Sequence, residues 1–146
     1  EIYTKEEKPL ASFTHSGLDS RLPIILESLG TQSFFKLFIY LHFVLENGGV
    51  AFLDELDSDI HPLLLPEIVR WFYDKDTNKH NAQLIMSCHN ATLLEELEKE
   101  EVFFTEKNNK GETGLYGLKD IDNVRRDTNI YKKYMGGAFG AVPNIG

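Results

Sequence analysis

Two adjacent carboxylates, Asp54 and Glu55, directly follow the apolar run Val50–Leu53 and could carry hydrolytic chemistry. An unalternating apolar run of this length is typical of a strand in a parallel sheet that is covered on both faces. Ligands bind beyond the carboxyl ends of such strands. Because the strand ends here, the second carboxylate can swing over the same pocket as the first. Asp54 could hold Mg²⁺ through water, and Glu55 could polarise a water that attacks a phosphate.

The acidic run continues through Asp57 and Asp59 to His61-Pro62, which places four carboxylates in six positions. So much like charge is costly without a cation or a partner to offset it, which favours a functional loop over a merely solvated one. His61-Pro62 itself is typical of a helix start. A second interpretation is that Asp57-x-Asp59 resembles the metal-binding acid pair of Toprim nucleases, with Glu27 as the upstream acid. Glu27 stands at a helix start, so that fit is poor.

A histidine, His89, stands directly after a second apolar strand, Gln83–Cys88. On its own it would be an incidental neighbour of Asn90, which can cap the helix that follows. The acid cluster lies about 35 residues upstream with one helix between, and this spacing favours a phosphate-sensing histidine instead. Cys88 is the only cysteine, which suits a reducing cytosol, and its place in the strand indicates core packing.

The segment Glu27-Ser28-Leu29-Gly30-Thr31-Gln32 opens a long apolar helix. A serine and exposed backbone N–H groups at a helix N-terminus form a ready anion site. An ordinary N-cap, with Ser28 bonded to Thr31 or Gln32, explains the same residues equally well. Both interpretations stay open at this point.

The elements that must position these residues alternate between strand and helix, which predicts an α/β fold with a mainly parallel sheet, flanking helices and a terminal β-hairpin. We expect one domain over 1–146, with the first helix buried nearly all round. The predicted elements are strands at 1–5, 10–15, 50–53, 83–88, 102–106 and 114–118, and helices at 28–45, 62–73 and 91–99.

Composition narrows the function classes. The net charge of −8 disfavours a free-standing nucleic-acid binder, and the basic group Arg125, Arg126, Lys132 and Lys133 is best explained as a solvated face. The longest apolar stretch, Phe34–Leu45, is too short to span a bilayer, and we expect a cytoplasmic protein. The chain starts abruptly at Glu1, inside a strand-like pattern and without an initiator Met, which suggests a piece of a longer protein.

Taken in order, these motifs resemble the C-terminal half of an ABC-type ATPase head of the SMC-like lineage. Glu27–Gln32 is similar to the signature motif, Val50–Glu55 to Walker B, Leu56–His61 to the D-loop, and Ser87–Asn90 to the switch-histidine loop. The closing stretch Tyr131–Pro143 is similar to the ends of bacterial AAA-type ATPases of abortive infection and anti-phage defence.

The resemblance implies ATP and Mg²⁺ as cofactors and a head-to-head homodimer that sandwiches two nucleotides. Asp54 would bind the metal, while Glu55 and His89 would be catalytic. Nucleotide contacts across the dimer would come from Ser28, Gly30 and Thr31, and Asp57 would lie at the dimer seam. Hydrolysis would control an effector such as a nuclease, with possible DNA or RNA contact through the parent protein.

The sequence also departs from that pattern. Leu29 stands where transporters carry glycine and Thr31 where they carry glutamine, which speaks against a membrane transporter. No GxxxxGK[ST] phosphate loop is present in the 146 residues, so we expect an N-terminal portion of the parent to supply Walker A. The alternative is that this chain is a non-catalytic dimerisation or binding module.

Overall fold

The computed structural model of the chain describes residues 2–5, 8–58, 60–125 and 128–142. The chain divides into two compact units, Glu1–Ser87 and Cys88–Gly146. The expectation of one domain over 1–146 stays a prediction beside this division. Each unit is described by itself.

The first unit begins with an antiparallel sheet of three strands, β1 (Ile2–Lys5), β2 (Lys8–Phe13) and β3 (Leu22–Pro23). Strand β2 lies in the middle, and its Phe13 pairs with Leu22. The two strands predicted for this region are therefore present, although the second begins two residues early. Glu6 and Glu7, in the predicted turn, lie outside the described residues.

The long helix α1 spans Leu29–Asn47, so the helix predicted over 28–45 is present and continues two residues further. Ser28 is its N-cap. Gly48 ends it in the left-handed conformation, with φ of 70°, which glycine adopts without steric cost. A Cβ at this position would lie 2.5 Å from the carbonyl oxygen of His80, so glycine is required for space as well as for conformation.

The prediction that α1 is buried nearly all round is wrong. Only Leu41, Val44 and Leu45 of this helix are buried among the described residues, and Phe43 is 67% exposed. On the second side of the helix Ile39 and Phe43 are exposed, whereas Phe35 is half-buried, with its ring 5.3 Å from that of Phe13 in β2. Burial depends on what packs against a helix, and its sequence pattern does not supply that information.

The acid cluster is carried by a β–α–β segment composed of β4 (Val50–Leu53), α2 (Leu65–Tyr73) and β5 (Gln83–Met86). Strands β4 and β5 pair in parallel. The prediction that β4 is covered on both faces is wrong, because Ala51 is fully buried while Phe52 is 68% exposed. Side chains alternate across a strand, so one face of this two-stranded sheet meets the core and the other stays open.

The second unit contains a β-hairpin and its own core. Strands β6 (Phe103–Lys107) and β7 (Thr113–Gly117) form the predicted terminal hairpin, and helix α3 (Ile130–Met135) follows. The predicted helix over 91–99 is wrong, since only a 3₁₀ turn forms, at Ala91–Glu95. Acids spaced three and four residues apart repel on a helix surface, and here they recur along 95–101.

Aromatic side chains and the C-terminal residues build that core. Phe104 stacks on Tyr134 with ring centroids 5.4 Å apart. The hydroxyl of Tyr116 donates to the carbonyl oxygen of Phe139 at 2.7 Å, and burial beside Glu106 raises the pKa of that phenol. The closing stretch that resembles the defence ATPases therefore packs on the hairpin. Its last residue, Pro143, lies outside the described residues.

The sequence predicts a mainly parallel sheet, but the strand pairings in the described residues are mainly antiparallel. One strand pairing there, β4 with β5, is parallel, and the other three are antiparallel. The physical reason is connection length: Asn108–Gly111 makes a short turn, which can join only antiparallel neighbours, whereas the α2 crossover permits parallel pairing. The predicted α/β character is confirmed, because the chain forms small sheets together with helices. None of the helices described is both long and apolar enough to cross a membrane.

Candidate functional site

The candidate site is built at the carboxyl ends of β4 and β5. The parallel ladder continues one residue past both strands, since the N–H of Ser87 donates to the Leu53 carbonyl at 2.9 Å. The Leu56 N–H then donates to the Ser87 carbonyl at 3.1 Å. Asp54 and Glu55 lie between these two bonds, so they occupy the sheet edge at which the sequence predicted them.

Glu55 has a left-handed backbone, with φ of 49°. Few non-glycine residues adopt this conformation, and such outliers are often found at functional sites. Ser58 closes the turn: its N–H donates to the Glu55 carbonyl at 3.0 Å, and its Oγ lies 3.3 Å from Glu55 Oε2. The backbone thus turns sharply at Glu55, directly after Asp54, and the two adjacent side chains line one cleft.

The Asp54 carboxylate is exposed and held from one side. Ser87 Oγ donates to Asp54 Oδ1 and accepts a hydrogen bond from the Glu55 N–H at 2.8 Å. The sequence analysis included Ser87 only as the first residue of the segment similar to the switch-histidine loop and gave its side chain no role. The one available signal was its position two residues before His89, at the end of the strand parallel to the one that delivers the acids.

A shallow cleft of about 300 Å³ lies over these groups. Asp54, Glu55 and Ser58 line one side, and Ser33 and Leu37 of α1 contribute to it. This volume is at the lower end of the range for small-ligand sites.

The signature-like segment forms an ordinary helix cap. Ser28 Oγ accepts from the Thr31 N–H at 3.1 Å, and the two side-chain hydroxyls are 2.8 Å apart. Gln32 Nε2 also donates to the Glu27 carbonyl at 2.9 Å. The capping interpretation is therefore confirmed. It leaves Ser28 and Gly30 exposed at the surface, so their contact with a nucleotide stays a prediction.

His89 lies in the second unit and is exposed. Its neighbour Asn90 caps the 3₁₀ turn, because Asn90 Oδ1 accepts from the Thr92 N–H at 3.1 Å. Cys88 is half-buried rather than fully packed, and its Sγ accepts from the Asn90 N–H at 3.3 Å. The predicted cap is present, and the phosphate-sensing role of His89 stays a prediction.

The Toprim-like interpretation gains no support from Glu27. Its carboxylate accepts from His15 Nε2 at 2.6 Å, a pairing that the sequence patterns did not indicate. Asp57 is half-buried, and Asp59 lies outside the described residues. Within the described ranges no three His, Cys, Asp or Glu side chains are grouped as an all-protein metal site.

The donor set does fit Mg²⁺ bound together with a nucleotide. Mg²⁺ commonly takes one or two carboxylates, keeps several waters and completes its shell with substrate phosphates. Asp54 provides one exposed carboxylate with its orientation fixed by Ser87. Because one carboxylate is sufficient for such an ion, the adjacent Glu55 is not required as a metal ligand.

Comparison with protein families decides the class. Residues 4–95 match the family described as "AAA domain, putative AbiEii toxin, Type IV TA system". The chain belongs to this family. The match contains the signature-like segment, the acid cluster and His89, whereas the closing stretch lies outside it. No curated protein matches the chain significantly.

Family membership confirms the sequence-based recognition at the level of an AAA-type, ATPase-like domain linked to abortive infection. It implies a P-loop NTPase-like α/β fold, with ATP and Mg²⁺ as the usual cofactors of such ATPases.

Proposed function

We propose that this chain is the acid-bearing part of an ATPase that binds and hydrolyses Mg²⁺-bound ATP within a nucleotide-sandwich homodimer. The observation that carries the proposal is the pair Asp54 and Glu55 at the end of a parallel strand pair, with Glu55 in a left-handed turn. A structural loop does not require two adjacent exposed acids at this sheet edge. In the proposed phosphate hydrolysis one carboxylate would bind the metal and the other would activate the attacking water.

The positions of the two carboxylates suggest a separate role for each. Asp54, oriented by Ser87, would hold Mg²⁺ through its remaining oxygen or through water. The ion, when bound, neutralises charge on the phosphates. Glu55 would accept a proton from the water that attacks the γ-phosphate. His89 would contact that phosphate and report its presence.

The rest of the site would come from other polypeptide. A Walker A loop from an N-terminal portion of the parent would cradle the phosphates, because the 146 residues contain none. The partner copy would add Ser28, Gly30 and Thr31, and Asp57 would lie at the seam. The exposure of Ser28 and Gly30 and the modest volume of the cleft support this composite arrangement.

Open apolar surface supports the same arrangement. Val50, Phe52 and Ile85 share one uncovered side of the β4–β5 sheet, and each is more than two-fifths exposed. Contiguous apolar exposure of this kind marks interaction surfaces. In the proposed ATPase, further sheet of the parent would cover this side.

We further propose that the nucleotide cycle controls an effector such as a nuclease in bacterial anti-phage defence, in the cytoplasm. Any DNA or RNA contact would be made by other parts of the parent, since this chain carries a net charge of −8. The link of the family to abortive infection supports the defence setting.

Replacement of Glu55 tests the proposal. In the full-length protein, Glu55→Gln should lower kcat for ATP by roughly 10²–10⁴-fold while ATP binding is retained, since the amide cannot take the proton. Single-turnover hydrolysis and nucleotide binding measure the two effects separately. Glu67→Gln is the matched control, because Glu67 lies on α2 and pairs with Arg70 away from the cleft. Unchanged turnover in Glu55→Gln would remove Glu55 from the base role and favour the non-catalytic binding module.

A further inference from the structure

Ser87 stands directly opposite Asp54 in the extended parallel ladder. The register pairs Val50 with Gln83 and Leu53 with Met86, so the next pair is Asp54 with Ser87. Main-chain hydrogen bonds on both sides of Ser87, to Leu53 and from Leu56, hold this register. The position of the Ser87 side chain is therefore set by strand pairing rather than by the acidic loop itself.

The hydroxyl of Ser87 connects the two acids. It can donate only one hydrogen, and the Glu55 N–H can only donate, so the Ser87 proton is directed to Asp54 Oδ1. Within the described residues Ser87 is the only hydrogen-bond partner of the Asp54 carboxylate. One oxygen of Asp54 is thereby fixed, and the other remains for a cation.

We infer that Ser87 is the positioning residue of the metal site. It selects the orientation of the Asp54 carboxylate and stabilises the left-handed backbone of Glu55 through the Glu55 N–H. This inference rests on the proposed function, in which Asp54 binds Mg²⁺. Groups that orient a metal ligand contribute strongly to metal affinity without touching the metal.

Substitutions at Ser87 distinguish the effect of its hydroxyl group on metal binding from an effect on folding. Ser87 is exposed, so Ser87→Ala removes the two side-chain hydrogen bonds and leaves both main-chain bonds of the ladder in place. Ser87→Thr keeps a hydroxyl on a side chain that suits a strand end. The two variants thus differ in the hydroxyl group, to which we assign the effect on metal affinity.

The test measures metal binding directly. Mn²⁺ replaces Mg²⁺ in the full-length protein with a β,γ-imido analogue of ATP, and electron paramagnetic resonance counts free Mn²⁺. We expect Ser87→Ala to raise the half-saturating Mn²⁺ concentration about tenfold, Ser87→Thr to stay close to wild type, and Asp54→Asn to abolish the site. Analogue binding without metal should be the same in all four proteins. Far-ultraviolet circular dichroism verifies that each variant is folded.

The outcomes separate this inference from the proposed function. If Asp54→Asn binds Mn²⁺ like wild type, the metal assignment of the proposed function is wrong. If Asp54→Asn loses the site while Ser87→Ala keeps wild-type affinity, the positioning role is overturned and the proposed function stands. A Ser87→Thr protein that is folded but as impaired as Ser87→Ala would also overturn the inference, since the hydroxyl would then not be responsible.

Discussion

The left-handed turn at Glu55 should cost folding stability, and this cost can be measured. A non-glycine residue in that region is disfavoured by roughly 1–2 kcal/mol, because Cβ approaches the carbonyl oxygen that follows it. Glycine escapes this strain but loses more backbone entropy on folding, about 0.4–1 kcal/mol relative to alanine. At φ of 49°, the strain term is the larger of the two.

We therefore expect Glu55→Gly to be more stable than Glu55→Ala by about 0.5–1 kcal/mol. Both variants lack the carboxylate and its contact with Ser58, so their difference isolates the backbone. Urea unfolding followed by Trp71 fluorescence is the assay. Trp71 lies in the same compact unit as Glu55 and reports on that unit.

The matched control is Asp57, two residues further along the same loop and without a positive φ. There the order should reverse, with Asp57→Gly less stable than Asp57→Ala by roughly 0.5–1 kcal/mol. If the glycine variant is the less stable of the pair at position 55 as well, Glu55 stores no backbone strain and the reasoning fails. A confirmed difference would show that the turn is maintained at a stability cost, as expected of a functional acid.

Two further predictions concern structural residues of the same unit. Gly48→Ala should destabilise by at least about 1–2 kcal/mol in urea unfolding, from left-handed strain and from the clash with the His80 carbonyl, whereas Gly49→Ala, with its nearest contact 3.7 Å away, should cost much less. Equal losses in the two alanine variants would contradict this explanation. The hydrogen bond from the Thr77 hydroxyl, followed by that from the Asp76 N–H, lowers the pKa of Asp74 below its ordinary 3.8. Asp74→Asn should therefore destabilise at neutral pH, and its deficit should shrink as the pH falls through the lowered pKa, as pH-dependent unfolding would show. A deficit independent of pH would assign the effect to something other than the carboxylate charge.

Local signals in the sequence were sufficient for the elements that deliver the site. Ser28, Gly48 and Pro62 act through their own backbone conformations and near neighbours, so the limits of α1 and the restart after the acidic run could be predicted. The apolar runs at 50–53 and 83–88 likewise identified the two strands, although the second strand ends two residues early, at Met86. These features depend on interactions within a few residues.

Burial and sheet pairing could not be obtained in the same way. Phe43 and Phe52 read as core residues because they are large and apolar, yet both are about two-thirds exposed. Exposure depends on which distant elements cover a surface, and nothing in the local pattern carries that information. The contact of Ser87 with Asp54 could not be predicted for the same reason: Asp54 lies 33 residues earlier, and only the parallel register brings the two residues together.

The register of β4 with β5 determines the geometry of the acid pair. Asp54 and Glu55 are on an exposed loop, where side chains ordinarily move, but the loop begins and is fastened at main-chain bonds between Leu53, Leu56 and Ser87. A shift of one residue in the pairing of β4 with β5 would place Met86 or Cys88 opposite Asp54 and remove the hydroxyl that orients its carboxylate. The geometry of the acids is thus a consequence of how two strands more than 30 residues apart align. Substitutions that disturb β5 should accordingly change the orientation of the Asp54 carboxylate, and with it the proposed metal site, even where the acidic loop keeps its conformation.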